Sequence, residues 1–337
     1  MVVILRGPFQ SLERFLSGVQ NTPVVFKAED VRDWTDTAAL PLLPGEESAA
    51  AFAQLRKAPR LDLNDGKSWR ARPYRELDAT NHKRLMKLIE EQPEGFCPVF
   101  KGESFDIWDP DRGVYYAWVN PEKIVKHLQK KRTSASTNRK SPFFEFTDAS
   151  WFRNPDSLPC HFARIAFRDV SRATDSRTVR LALVPPKCFL VHLAPTLVWP
   201  RGDEKDQAFL LGVLSSIPLD WYARRFVETH LTYHVFNPFP VPRPSRDDPL
   251  WQRVVQLAGR LACPDKRFAK WAEAVGVECG KLDAAEKDDM IHELDAVVAH
   301  LYGLSEPQLV HVFEAFHEGW DYHPRLAAVL EHYRAWR

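Results

Sequence analysis

The sequence predicts an α+β protein, a mixed β-rich region followed by a helical C-terminal domain. Three features predict it. Strand-like runs fill residues 95–120 and 160–200, the apolar period turns helical from residue 204, and prolines cluster at Pro238, Pro240, Pro242 and Pro244. Proline is excluded from helix interiors and central strands, so that cluster is the expected boundary. Residues 1–75 are expected to be a linker and helical segment, 76–245 an α/β domain and 246–337 a helical domain. A length of 337 residues suits roughly two to three domains.

The elements follow in order. A short strand opens the chain, then an amphipathic helix over Leu12–Val19, then the prolines Pro41 and Pro44. A second helix is expected over Glu46–Lys57, where Glu47-Ser-Ala-Ala-Ala-Phe-Ala-Gln-Leu55 is rich in good helix formers. Pro98-Val-Phe100 and Tyr115-Tyr-Ala-Trp118 read as paired strands around the turn residues Asp109-Pro-Asp-Arg-Gly113. Cys160–Phe167, Thr178–Val184 and Phe189–Trp199 are β-branched or aromatic runs that read as further strands. Gln207–Leu214 begins the helical part. Ser216-Ile-Pro218 supplies a cap and an early proline for a helix over Leu219–Thr229. Leu250–Leu261 is another helix. Asp283-Ala-Ala-Glu286 has the spacing of a capping box before a stripe of Met290, Leu294, Val297, Val298 and Leu301. Gly303 stops that helix, and Ser305-Glu-Pro-Gln308 starts the next.

Composition excludes several classes. Apolar residues are 45% and charged residues 27% of the chain, which is ordinary for a folded protein. A net charge of +1 means that a polyanionic partner must be met by a local patch. No run approaches the roughly 18 apolar residues that cross a bilayer, so no membrane partner is expected. Met1-Val-Val-Ile-Leu-Arg6 is too short for a signal-peptide core. The five cysteines form no C-x-x-C pair, which suits a reducing, cytoplasmic location.

Catalytic motifs are mostly missing. Neither G-x-G-x-x-G after a strand nor G-x-x-x-x-G-K-[ST] occurs. His292-Glu293 is followed by Ala296 where H-E-x-x-H needs its second histidine, and His161, His192, His230, His234, His311 and His317 lack ligand spacing. No catalytic residue, metal site or cofactor is therefore assigned to this chain. Asn237-Pro-Phe239 lacks the second proline of an N-P-P-[YF] adenine pocket. Pro155-Asp156 with Asp203-Glu204-Lys205 spells a loose P-D…D-x-K, and it keeps an Mg²⁺-dependent nuclease as a minor alternative.

The positive signal is electrostatic. Lys123, Lys126, Lys130, Lys131, Arg132, Arg139 and Lys140 lie in a stretch with no acidic residue between Glu122 and Glu145. Lys123, Lys126 and Lys130 share one face of a helix, and Thr133–Asn138 reads as a flexible loop that phosphates would order. The alternative is an ordinary solvated helix face. A second cluster, Arg164, Arg168, Arg172, Arg177 and Arg180, lies where lysine is absent. The arginine fork reads guanine edges or phosphates in a bidentate way. Structural ion pairs with Asp169 and Asp175 are the alternative there.

Several segments taken in order carry a resemblance. They begin with Arg75-Glu-Leu-Asp-Ala-Thr-Asn81, Pro98-Val-Phe-Lys-Gly-Glu-Ser-Phe105, Phe167-Arg-Asp-Val-Ser-Arg172, Asp175-Ser-Arg-Thr178 and Val184-Pro-Pro186. They continue with Leu210-Leu-Gly-Val-Leu-Ser-Ser216, Asp220-Trp-Tyr-Ala-Arg-Arg225, Thr229-His-Leu-Thr-Tyr233, Pro240-Val-Pro-Arg-Pro244 and Glu293–Leu304. Together they resemble the C-terminal target-recognition, or specificity, region of type IIG restriction–modification enzymes and N6-adenine DNA methyltransferases. The resemblance implies a chain that binds double-stranded DNA and presents it to a separate methyltransferase domain or subunit, which would hold S-adenosylmethionine. It adds Lys101, Arg224 and Arg225 to the candidate DNA-binding residues, and it implies no methyl transfer by this chain alone. Residues 1–70 resemble what would follow a catalytic domain. A protein-interaction module of a phage-defence complex, docking other defence proteins through its helical C-terminus, is the other class kept open.

Overall fold

The computed structural model describes residues 1–5, 11–20, 23–43, 45–316 and 320–336. Arg6, Pro44 and His317 lie outside them. β1 (Val2–Leu5) and β2 (Val24–Lys27) pair antiparallel around α1 (Leu12–Gly18), followed by α2 (Ala28–Trp34) and α3 (Glu46–Leu55). Next come β3 (Arg70–Tyr74), β4 (Met86–Lys87), β5 (Cys97–Phe100), β6 (Ala117–Val119), α4 (Pro121–Ala135) and α5 (Ala149–Arg153). The β-rich part closes with β7 (Arg164–Phe167), β8 (Leu181–Val184), β9 (Phe189–Leu190) and β10 (Thr196–Arg201). Helices then take over: α6 (Glu204–Ser215), α7 (Ile217–Ala223), α8 (Tyr233–Phe236), α9 (Pro249–Ala262) and α10 (Ala269–Val275). α11 (Ala284–Leu301), α12 (Glu306–Glu314) and α13 (His323–Ala335) complete them. The protein is thus α+β with a helical C-terminal region.

Alternation along the strands builds a stack of layers. One sheet runs β3-β10-β7-β8, antiparallel throughout; the other runs β4-β6-β5-β9, with β5 and β9 parallel. Successive strand residues face opposite ways. Ile165 and Phe167, paired across the ladder with Leu183 and Leu181, join the largest core, shared with α6 and the C-terminal helices. Ala166 and Ala182 face the other way, against Phe100, Phe105 and Leu190 around the second sheet. Val99, Val119 and Phe189 then point to that sheet's far side, where Ile124 and Leu128 of α4 cover them. α4 is therefore the outermost layer, remote from the helical core. The largest core draws on all three expected segments, from Val31 through Phe167 to Tyr333.

A buried carboxylate joins the sheets. Just after β3, Glu76 accepts both arms of the Arg164 guanidinium at 3.0 Å and the Leu190 backbone N–H at 3.0 Å. Arg164 also donates to the Cys188 carbonyl at 3.0 Å, and Leu77 N–H donates to Leu190 O. Arg164 and Glu76 are 3% and 1% exposed, so neither charge has water to fall back on. A second buried carboxylate, Asp220 of α7, accepts the backbone N–H groups of Thr178 (3.1 Å) and Val179 (2.6 Å) and the Arg224 Nε (3.3 Å). Asp295 of α11 accepts from Ile217 N–H and from Arg325 of α13, tying three helices together. α6 meets α9 closely because residue 212 is glycine: a Cβ there would stand 2.7 Å from Val254 Cγ1.

Several elements differ from their expected spans. The segment expected as a loop from Thr133 is helical to Ala135, because Ile124, Leu128 and Arg132 extend one buried stripe to the last turn. The strand expected over Phe189–Trp199 divides into β9 and β10, which belong to different sheets. Residues 159–161 form a 3₁₀ turn with Pro159 at its start, so the strand begins only at Arg164. α7 stops at Ala223 instead of running to Thr229; Arg224 and Arg225 turn to the 173–176 loop and Leu42. Asp283 caps α11 through Glu286 N–H without the reciprocal half of a capping box, whereas both halves form at Ser305 and Gln308 of α12.

Breaking the buried pair at one end should cost more than removing it. Urea unfolding of Arg164→Met is expected to show a loss of about 3–5 kcal/mol, with Arg164→Met/Glu76→Leu recovering part of it. An equal loss in both variants would show that the geometry, and not the stranded charge, sets the cost.

Candidate nucleic-acid interface

The fifteen cations named from the sequence part into two groups by what their side chains touch. α4 separates its own along the helix. Asn120 caps it by accepting Lys123 N–H at 3.1 Å, Pro121 occupies the first turn, and Ile124 and Leu128 bury one stripe. Lys123, Lys126 and Lys130 consequently stand exposed on the opposite side, and Arg139 and Lys140 are exposed just beyond the helix. Among the described residues none of these five side chains forms an ion pair.

Their two neighbours in sequence do something else. Arg132 is fully buried: its guanidinium lies 4.3 Å over the Trp151 ring and donates to Gln129 Oε1, Ser157 Oγ and the Asn154 carbonyl. It pins α4 to the 151–157 segment and is withdrawn from any surface. Lys131 is half-buried over Tyr74 and donates to the carbonyls of Arg75 and Glu76.

The arginine cluster is spent almost entirely inside the fold. Arg164 holds Glu76, as described. Arg168 donates to Phe105 O and, at 3.0 Å, to Asp106 Oδ2; Arg180 reaches the same oxygen at 2.9 Å. Arg177 donates to Ser215 O at 2.6 Å and lies 3.5 Å from Asp220. Arg224 is buried, donates to Ala173 O at 2.7 Å and stacks 4.0 Å over Phe316. Arg225 lies over Trp221 and donates to Leu42 O, and Lys101 pairs with Glu103 at 2.5 Å. Arg172 alone in the 164–180 cluster is exposed with its side chain unengaged among the described residues. Structural ion pairs do engage the cluster, but with Glu76, Asp106 and Asp220 and not with the expected Asp169 and Asp175. Asp169 lies 3.7 Å from Arg75, and Asp175 accepts the Arg172 backbone N–H.

The fold adds cations that sequence reasoning passed over. His82 meets His127 of α4 edge to face, ring centroids 4.5 Å apart, so the adjoining exposed Lys83 and Arg84 are carried to α4, where Arg84 and Lys130 both act on the His127 imidazole. The signal was present as the run His82-Lys83-Arg84. Burial lowers the affinity of both imidazoles for a proton, and neighbouring cations lower it further: His82 and Lys131 for His127, Lys131 and Arg84 for His82, with Asp78 opposing at His82. His127 Nε2 is buried without a hydrogen-bond partner. Seven exposed cations, Lys83, Arg84, Lys123, Lys126, Lys130, Arg139 and Lys140, thus lie on and around α4 without an ion pair among the described residues.

The two acids of the P-D…D-x-K pattern sit in different local settings. Asp203 caps α6 and pairs with Arg246 at 2.8 Å, and Asp156 sits in a separate 3₁₀ turn. No group of three His, Cys, Asp or Glu side chains able to hold a metal occurs among the described residues. No helix among them is long and apolar enough to cross a membrane.

No protein-family profile matches the chain, and no curated protein sequence matches it. Among solved structures, one that matches is a Type IIL restriction–modification enzyme, MmeI, in complex with DNA, at 11% identity and a TM-score of 0.38. The alignment covers 89% of this chain and 40% of that one, so the chain spans well under half of the enzyme's length. A likeness that loose carries no argument about function.

The histidine pair makes a pH prediction. The folded imidazoles bind their protons more weakly than the unfolded ones, whose usual value is about 6.5. Below that value the unfolded chain binds more protons, so stability is full above it and falls as the pH drops through the folded values. Denaturant melts at pH 7.5 and 5.5 should show this loss, and His127→Gln should reduce it. A loss unchanged in that variant would place the effect elsewhere.

Proposed function

We propose that this chain is the DNA-recognition part of an adenine-specific DNA methyltransferase or restriction–modification system, presenting duplex DNA to a separate catalytic domain. The observation that carries the reading is the α4 face. Seven exposed cations on and around α4 have no carboxylate partner among the described residues, on a chain whose net charge is only +1. Uncompensated lysine and arginine on one surface is the footprint of a phosphate-binding face. Support also comes from the ordered motifs between Arg75 and Leu304 that resemble the target-recognition region.

In this reading phosphates lie along Lys123, Lys126, Lys130, Arg139 and Lys140, and Lys83 and Arg84 extend the track. The buried arginines hold the scaffold. Arg172 is the arginine of the second cluster free to reach a base edge or a phosphate. S-adenosylmethionine and the adenine pocket belong to the catalytic partner, whether a domain or a subunit.

The reading has a direct test by fluorescence anisotropy of labelled duplex against salt. Each phosphate contact contributes about −0.9 to the slope of log K against log salt. Lys126→Glu/Lys130→Glu is expected to flatten that slope by about two and to weaken binding to all duplexes alike. Arg172→Ala should instead narrow the gap between preferred and random sequence. Duplex binding that ignores salt, or survives the double reversal intact, would sink the proposal.

A further inference from the structure

A second site is lined by none of the α4 lysines. A cleft of about 700 Å³ opens between the 146–162 segment, the start of β10 and α6, and the 266–271 segment. That volume falls within the range of pockets that bury small ligands, roughly 300–1,000 Å³. Its walls combine three kinds of group seldom brought together by packing alone.

The first kind is aromatic. Trp151, Phe162, Trp199 and Trp271 line the cleft, and Phe162 is 56% exposed there, a large apolar ring left in water. The second is unspent hydrogen-bonding capacity. Trp199 Nε1 and His161 Nε2 are buried without a partner. Gln207 accepts the Trp271 indole N–H at 3.1 Å through its oxygen, which leaves its amide nitrogen to donate. Glu204, one turn earlier on α6, offers a carboxylate that no cation holds among the described residues. A buried polar atom left unpaired costs free energy and is found where a ligand or water completes it.

The third kind is cationic. Lys187, Lys266 and Lys270 are exposed at the cleft and form no ion pair among the described residues. Lys187 moreover takes a left-handed backbone, φ 62°, while its N–H donates to Cys160 O at 2.8 Å. A lysine is strained there and glycine is not, so the side chain is kept at a cost that packing does not explain.

We propose that this cleft binds a nucleotide: the planar base against the aromatic wall, its polar edge on Gln207 and Glu204, its phosphate on Lys187, Lys266 and Lys270. Aromatic rings take any base face, and an amide donor beside a carboxylate acceptor complements a base edge that carries both an acceptor and an amino group. The same chemistry is offered by a free mononucleotide and by an unpaired nucleotide within a strand. The inference stands apart from duplex recognition by α4, since the two sites share no residue.

The test uses quenching of intrinsic tryptophan fluorescence by AMP, by CMP, and by a short duplex with one unpaired nucleotide beside its fully paired counterpart. Saturable quenching by a mononucleotide supports a free ligand; quenching by the unpaired-base duplex in excess of the paired one supports a strand. Phe162→Ala is expected to weaken either about tenfold, the order of a lost stacking contact. Lys187→Gly is expected to weaken binding while leaving the melting temperature equal or higher, because it relieves the strained backbone. Lys126→Glu/Lys130→Glu should leave mononucleotide quenching unchanged, so failure of the α4 reading is told apart from failure of this one. The proposal is overturned if no nucleotide quenches saturably, or if Phe162→Ala and Lys187→Gly bind as the parent does.

Discussion

The Glu76 carboxylate is the constraint on which the rest of the architecture depends. It leaves β3 in the first sheet, grips Arg164 of β7 in that sheet, and accepts the N–H of Leu190 in the second. Two short-stranded sheets have little ladder hydrogen bonding with which to hold each other, and β9 contributes only two residues. Directional bonds from one buried anion set their relative position, and the apolar contacts of Phe100, Phe105 and Ala182 then fill the space between. α4 inherits its place from this arrangement, because Val99 and Phe189, on the far side of the second sheet, are what it covers.

Charge is organised by the same economy. Asp220, Asp106 and Glu76 between them engage Arg224, Arg168, Arg180 and Arg164. Each is a forked donor matched to a carboxylate in a half-buried or buried setting, where lysine would be the poorer partner. Of the α4 lysines, Lys123, Lys126 and Lys130 stay outside, and only Lys131 turns in. Selective use of arginine in the 164–180 segment therefore reflects the interior of the fold, apart from Arg172. Ile124, Leu128 and Arg132 bury one side of α4, and Lys123, Lys126 and Lys130 project from the other without an ion pair among the described residues.

What the sequence made legible was local. The helical part, the α6 and α9 spans, the Ser216, Asp283 and Ser305 caps and the exposed stripe Lys123, Lys126, Lys130 all follow from spacing within one element. The sheet partners did not follow. Glu76 and Arg164 are 88 residues apart and Arg180 and Asp106 are 74 apart, and no periodicity links such pairs. Reading for the nearest acids pointed to Asp169 and Asp175 instead. His82-Lys83-Arg84 was visible as a basic run, yet only the contact with His127 makes it part of the α4 face. The aromatic cleft draws on four separated stretches of chain and had no local signature beyond tryptophan content.

The free cations on α4 also give the molecule an electrical direction. With 46 basic and 45 acidic residues almost cancelling in sum, the exposed cations on and around α4 concentrate positive charge locally, unpaired among the described residues. In the field of any polyanion such a body feels a torque before it feels contact, and the torque reaches about 10 Å at ordinary ionic strength. If the proposed duplex reading holds, encounters would begin with that face forward, and a protein with almost no net charge to draw it in would still arrive turned toward its partner.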